Sequence, residues 1–326
     1  MLCITHDSTD PWFNLAAEEY LLHNFSGDCF MLWRNDNTIV VGKHQNTLGE
    51  INMGYVRESN IKVARRLSGG GAVYHDLGNL NFTFIMNGSE GKLVDFKKYT
   101  QPVIEVLKNL SIVAEFSGKN NLTINGKKIS GNAEHVYKKR VLHHGTLLFS
   151  SEMDKLSHAL KVNPLKYQSK AVKSIRSRVT NIKDHLKNDM DVIQFRNMIL
   201  EHIMTKYPGA VKYEFSNEDL ISIKKLRDDK YRTWEWNFGY SPKYEFERSF
   251  MTGAGLVHVF LYVSGGIICK AKISGDHLNS RETSIVETLL EGTRHEETEL
   301  YNKLETIPFP KYLQNISATE FIGKIF

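Results

Sequence analysis

The chain is short of cysteine, proline and long apolar runs, and each shortage removes a class of protein. Its three cysteines, Cys3, Cys29 and Cys269, lie far apart with no Cys-x-x-Cys spacing. That argues against a disulfide framework or a cysteine-built zinc site and points to a reducing compartment. No stretch approaches the roughly 18 consecutive apolar residues of a membrane helix, and no charged-then-apolar leader opens the chain. A membrane partner is therefore not expected, and the expected location is cytoplasmic. Charge of one sign is scarce too: 42 Lys and Arg stand against 37 Asp and Glu, a mild excess suited to steering an anionic ligand. No patch interleaves aromatic and basic side chains, so nucleic acid is not an expected partner. With 326 residues, 41% of them hydrophobic, there is ample core for one large domain and a smaller one.

What is present reads as short strands and helices in irregular alternation. Asp10-Pro11 joins an N-cap to a proline at the first helical position, and Trp12, Leu15, Ala16 and Tyr20 follow at helical spacing, predicting an amphipathic helix. Segments 30–33 and 38–41 read as strands joined by a turn at Asn35-Asp36-Asn37, and 62–65 and 81–86 as two more. Phe96 to Leu110 carries helical periodicity, with Pro102 near its start or kinking it. A strand over 141–150 leads to Ser151 and Asp154, which resemble a capping box opening a helix through Leu160. From 161 to 183 the chain carries Lys166, Lys170, Lys173, Arg176 and Arg178 and no acidic residue, which reads as a basic loop. Helices are expected near 191–206 and 217–230. Beyond about 243 the texture changes to strands near 244–250, 256–263 and 267–273, then helices. The pattern predicts an α+β (mixed α/β) architecture, with one domain over 1–243 and a small one over 244–326.

One hairpin can be read in detail. In "NLTINGKKIS" (121–130), Asn125-Gly126 is the strongest short signal for a two-residue turn. It predicts Ile124 opposite Lys127, Thr123 opposite Lys128 and Leu122 opposite Ile129. Asn121, Thr123, Lys128 and Ser130 then share a polar face, so Lys128 rather than Lys127 projects into any site there. Such a lysine is either solvated or a fixed cation that binds a carboxylate and a phosphate together. A second stretch, "RRLSGGGAVYHDLGN" (65–79), fits neither a P-loop nor the dinucleotide fingerprint. It is a plain glycine turn between strands, or a bare backbone flanked by Arg65 and Arg66 that faces an anion. His75, His143 and His144 read first as buried spectators, and Asp76 as a turn residue.

These stretches, with "DPWFNLAAEEYLL" (10–22), "NGKKISGNA" (125–133), "HHGTLL" (143–148), "KSIRSRVTN" (173–181) and "TWEWNFG" (233–239), resemble in order and spacing the signature segments of the lipoate-protein ligase A family. The resemblance spans most of residues 8–243. It implies the fold shared with biotin ligases, with a small C-terminal α/β domain. It also implies a ligase that uses ATP and Mg2+ to convert lipoate to lipoyl-AMP and then acylates a lysine. The implied acceptors are lipoyl domains of 2-oxoacid dehydrogenase E2 subunits or the glycine-cleavage H protein. Carried over by position, Lys128 would be the catalytic cation touching carboxylate and phosphate. Arg66, Gly71, Ala72, Val73 and Tyr74 would bind nucleotide, and Ser68, Gly69 and Gly70 would wall the acyl-adenylate. His75 would stand beside the lipoyl pocket, and Lys173 and Arg178 would lie in the adenylate loop.

The chain departs from the family at "KNNL" (119–122), where Lys119 replaces an arginine and Asn121 an acidic residue. A neutral amide is a poorer magnesium ligand than a carboxylate, which leaves no metal ligand identified. It keeps open a lipoyltransferase that takes preformed lipoyl-AMP or needs a partner for adenylation. A non-catalytic lipoate binder is the remaining alternative. An octanoyl-type transferase would need a reactive pocket cysteine, and none lies between 65 and 181.

Overall fold

The computed structural model describes residues 1–88, 93–160, 167–174, 177–253, 255–276, 278–313 and 316–326. It divides into two compact units, each assembled from three separate stretches of chain. The first contains Met1–Lys43, Asn60–Ala159 and Ser174–Thr233; the second contains His44–Ser59, Leu160–Lys173 and Trp234–Phe326.

The first unit is built on an eight-stranded mixed sheet in the order Val211–Lys212, Leu2–Thr5, Cys29–Trp33, Asn79–Asn87, Arg140–Leu148, Lys127–Tyr137, Asn121–Ile124, Glu115–Ser117. Strand alternation sorts the residues of Asn79–Asn87 between two faces. Leu80, Phe82, Phe84 and Met86 join the main core with Val103, Leu107, Phe195 and Ile199 of the helices Phe96–Asn109 and Val192–Lys206. Asn79, Asn81 and Thr83 take the other face, beneath the helix Pro11–Asn24, whose Glu18 accepts a hydrogen bond from Thr83 at 2.6 Å. That helix starts as expected, with the Asp10 carboxylate accepting from the Trp12 amide at 3.0 Å. Its far end is closed by Arg140, whose buried guanidinium donates to the carbonyls of Leu21, Leu22, Phe25 and Gly27. A cation there satisfies carbonyls that no helical amide can reach and complements the helix dipole.

One expected connection holds but leads to a different sheet, and two readings need correction. Cys29–Trp33 and Thr38–Val41 are joined by the expected turn, with Asn37 at a φ of 39°, but they do not pair. Thr38–Val41 instead lies between Lys62–Arg65 and Val73–His75 in a separate three-stranded sheet. The connection is diverted by bonds to the start of the first helix: the Asp36 amide donates to Thr9, and Asn14 Nδ2 donates to the Arg34 carbonyl at 2.8 Å. The Ser151–Asp154 capping box does not form, since the Ser151 hydroxyl has no partner among the described residues and the helix runs Met153–Ala159. Asp76 supplants it, accepting from the Glu152 amide at 2.7 Å and from the Gly78 amide at 2.9 Å. Within the expected basic loop, Tyr167–Ser169 is a strand paired antiparallel to Tyr244–Thr252. Lys166 and Arg176 fall outside the described residues.

The second unit carries the antiparallel sheet Tyr167–Ser169, Tyr244–Thr252, Gly255–Ser264, Ile267–Gly275. Its core takes in Phe246, Leu261 and Ile268 of the sheet with Val286, Leu300 and Phe321 of three helices. Gly265 and Gly266 make the predicted turn, both at positive φ. Among the described residues no helix is long and apolar enough to cross a membrane.

Candidate active site

The hairpin forms around Asn125-Gly126, both at positive φ, and pairs Ile124 with Lys127 and Thr123 with Lys128 as read. The third expected pair is displaced: Leu122 faces Ser130, because the register shifts by one residue and leaves Ile129 bulged into the core. A bulge bends and twists its strand, and here it puts Asn121 opposite Gly131. Lys127 is exposed, whereas Lys128 is half-buried. Its ammonium lies over Gly131, where an added Cβ would stand 2.8 Å from Nζ and 4.0 Å from Asn121 Oδ1. Glycine is what leaves space for the cation beside that amide. The Lys128 amide donates to the Arg178 carbonyl, and the Thr180 amide donates to the Lys128 carbonyl. Burial first, and the Arg66 charge second, hold the Lys128 ammonium below the usual lysine range.

The glycine loop is wrapped around Arg66. Its Nε donates to Ser68 Oγ at 3.0 Å, Nη1 to the Val40 carbonyl at 3.1 Å, and Nη2 to the carbonyls of Gly69 and Gly71 at 2.7 and 2.9 Å. Burial lowers its pKa to about 10, with Glu18 opposing, so it remains a cation at neutral pH. Gly70 takes a φ of 95°, and a Cβ on Gly42 would overlap the Gly70 carbonyl oxygen. With those carbonyls turned inward, the amides of Gly69, Gly70 and Gly71 have no partner among the described residues. Successive open amides form an anion-binding concavity. The Ala72 amide donates to Ser174 Oγ at 2.9 Å, and Val179 bridges in parallel to Lys128 of the hairpin.

Behind the loop a buried hydrogen-bonded chain crosses the sheet. Ser68 Oγ is 2.5 Å from His144 Nε2, and His144 Nδ1 is 2.9 Å from Glu18. Glu18 also takes the Thr83 hydroxyl, which accepts from Trp33 Nε1 at 2.9 Å. His75 is likewise buried; burial first, then Arg66 and His144, lowers its pKa to about 3, keeping it neutral. His143 projects from the opposite face toward Glu134, at 2.8 Å, and its pKa is lowered by burial. Among the described residues no group of three or more His, Cys, Asp or Glu side chains is placed to hold a metal ion. The arrangement offers one ammonium and a row of open amides, which suits charge building on a phosphate and a carboxylate.

Residues 10–204 match the lipoyl protein ligase A/B catalytic domain, and residues 241–325 match the bacterial lipoate protein ligase C-terminus. The chain belongs to the lipoate–protein ligase family. It is 41% identical over 316 residues to lipoate–protein ligase 1 of Staphylococcus aureus, covering 96% of each chain. A crystal structure of lipoate-protein ligase A bound with ATP is similar at a TM-score of 0.61 and 26% identity, over 73% of this chain and 98% of that one. A second, described as a bi-partite lipoate protein ligase and its E2 lipoyl domain from Thermoplasma acidophilum, gives 0.64 and 25%, over 73% and 96%. The expected family, mixed α/β fold and lipoate ligase activity are all borne out.

In this ligase the structure brings Arg66, Ser68, Gly69, Gly70, Gly71, Ala72 and Lys128 together in the first unit, with Val73, Tyr74 and His75 forming the strand that leaves the loop. Tyr74 Oη donates to Asn37 Oδ1 at 2.9 Å, on the side of the small sheet away from the loop. Arg178 is exposed in the first unit, and Lys173 is exposed in the second. Sequence reading missed Gly131, Glu18 and Thr83; His144 is the buried, hydrogen-bonded histidine that was read, with Ser68 and Glu18 as its partners. Only the "HHGT" alternation hinted that one of two adjacent histidines must face the site.

Proposed function

We propose that the ligase forms its acyl-adenylate between Lys128 and the glycine loop. The lipoate carboxylate oxygen attacks the ATP α-phosphorus, and the bond to the β-phosphate breaks, giving lipoyl-AMP and pyrophosphate. Lys128 touches carboxylate and phosphate at once, offsetting their repulsion, while the amides of Gly69, Gly70 and Gly71 receive phosphate oxygens. An acceptor lysine amine then attacks the acyl carbon, AMP departs, and the amine gives up a proton. Val73, Tyr74 and Arg178 complete the nucleotide side, the acceptors are lipoyl domains of 2-oxoacid dehydrogenase E2 subunits or glycine-cleavage H protein, and residues 244–326 act as an accessory domain, all in the cytoplasm. The observation that supports this most is the Lys128 ammonium held over Gly131, with no acidic partner among the described residues and close enough to the glycine loop to feel the Arg66 charge.

A resident magnesium ion does not fit the hairpin: Asn121 is neutral and its neighbour is a cation. Magnesium therefore arrives on the nucleotide as part of the substrate. Replacing Asn121 by aspartate adds a carboxylate ligand and is expected to lower the magnesium concentration for half-maximal activation by severalfold; a titration showing no shift would remove Asn121 from the metal's surroundings.

Lipoate-dependent exchange of labelled pyrophosphate into ATP, without acceptor protein, tests the adenylation step. Asn121 favours one second reading, a transferase fed with preformed lipoyl-AMP, and that reading predicts no exchange but efficient transfer from supplied lipoyl-AMP. A cysteine-thioester route gains no support: burial raises Cys3, raises Cys29 to about 11, and Cys269 lies in the second unit.

A further inference from the structure

His75 ends the glycine loop, and its protonation can be traced through its neighbours. Asn14 Nδ2 donates to two backbone carbonyls, Ser8 at 3.2 Å and Arg34 at 2.8 Å, which fixes which end of that amide is nitrogen. The same Nδ2, its two hydrogens shared among three acceptors, reaches Asn35 at 2.9 Å; a nitrogen there would face it donor to donor, so the Asn35 atom facing it is the oxygen. Asn35 must then present its Nδ2 to His75 Nδ1, 3.1 Å away. A ring nitrogen that accepts is bare, and a neutral imidazole carries its one proton on the other nitrogen. His75 Nε2 is therefore an N–H donor, and it is buried with no partner among the described residues.

A second orphan lies nearby. The His75 ring meets Trp33 edge-on, with centroids 6.3 Å apart, and Asn81 is the cross-strand neighbour of Trp33 on the same face. Asn79 Nδ2 donates to Asn81 Oδ1, leaving Asn79 Oδ1 and Asn81 Nδ2 unpartnered among the described residues. Turning both amides over leaves one donor and one acceptor orphaned all the same. Trp33 and Thr83 tie this face to Glu18, His144 and Ser68, the wall of the proposed acyl site. Buried donors left without partners are costly. A plain hydrocarbon tail covering this face would leave them so, whereas the divalent sulfur of a dithiolane ring is a weak acceptor.

We infer that His75, held as its Nε2–H tautomer by Asn14 and Asn35, selects a sulfur-bearing acyl tail over an all-carbon one of similar length, with the Asn79–Asn81 pair supplying a second donor. The inference rests on the glycine loop being the acyl-adenylate wall.

Pyrophosphate exchange with lipoate and with octanoate, compared as a kcat/KM ratio, tests it in wild type, His75→Asn and His75→Gln, with melting curves for each. Asparagine mimics Nδ1 alone and glutamine mimics Nε2. The lipoate preference is expected to fall about tenfold in His75→Asn and to persist largely in His75→Gln. Imidazole nitrogen shifts in the wild type should show Nε2 protonated and Nδ1 bare. A preference intact in His75→Asn, no preference in wild type, or a proton on Nδ1 would each overturn the inference. Equal loss in both variants would do so too, since ring fit rather than the donor would then select. Exchange with neither acid in wild type would instead overturn the adenylation assignment beneath it, and this inference with it.

Discussion

Replacing Lys128 with methionine is expected to lower lipoate-dependent pyrophosphate exchange by about a hundred- to a thousandfold while leaving the melting temperature unchanged or higher. The two halves have one cause. Its ammonium is partly taken out of water and faces Arg66, and both effects push its pKa down. A lysine whose folded pKa lies below its unfolded value of about 10.4 lowers stability while it stays charged. The deficit closes only as pH rises through the folded value toward the unfolded one, where the unfolded chain binds more protons. Methionine keeps the stem and removes the penalty. The same ammonium gains its counter-charges when a carboxylate and an α-phosphate arrive, so what weakens the free protein strengthens the complex. Exchange assays paired with thermal unfolding, with and without lipoate and ATP, check both parts. Retained exchange would displace Lys128 from the reaction; lost exchange with a markedly lower melting temperature would make it a structural residue.

Much of this was legible because the signals are local. Asn125-Gly126 specified a turn by backbone conformation, and with it two cross-strand pairs and the direction of Lys128. Legibility ended at Ile129, since the bulge there is decided by strands farther along, where Gly131 must meet Thr146 and Asn121 together. Ser151 failed as a cap for a similar reason: Asp76, far off in sequence, reaches the Glu152 amide first. The strand at Tyr167–Ser169 was hidden inside a basic stretch because its pairing partner lies in the C-terminal sheet. Glu18, His144 and Ser68 come from a helix, a strand and a loop, and no spacing rule joins them. The resemblance supplied family and chemistry, yet the donors around His75 and the wrapping of the glycine loop emerge only from geometry.

Arg66 shows the difference most sharply, and its exchange for lysine separates two roles. If the arginine served chiefly to neutralise phosphate, lysine would retain most of the ATP affinity, because the charge survives. The geometry argues otherwise, since its donors go to Val40, Ser68, Gly69 and Gly71 within the protein. A single ammonium cannot fork toward these partners as a planar guanidinium does. The buried Val40 carbonyl or the partly buried Gly69 and Gly71 carbonyls lose their donor, at roughly 1–3 kcal/mol for a fully buried group and less for a partly buried one, so Arg66→Lys is expected to destabilise by about 2–4 kcal/mol. With Gly69 and Gly71 released, their amides no longer converge, and exchange activity is expected to fall about a hundredfold through kcat as well as KM for ATP. Denaturant unfolding and exchange kinetics on the same preparation measure the two effects. A stable variant with near-normal KM would mean the loop holds its shape without the fork, and that Arg66 acts as charge alone. The predicted pattern would instead mean that the three glycines are bare in order to close around a buried arginine, and that the anion site is the outer surface of that closure.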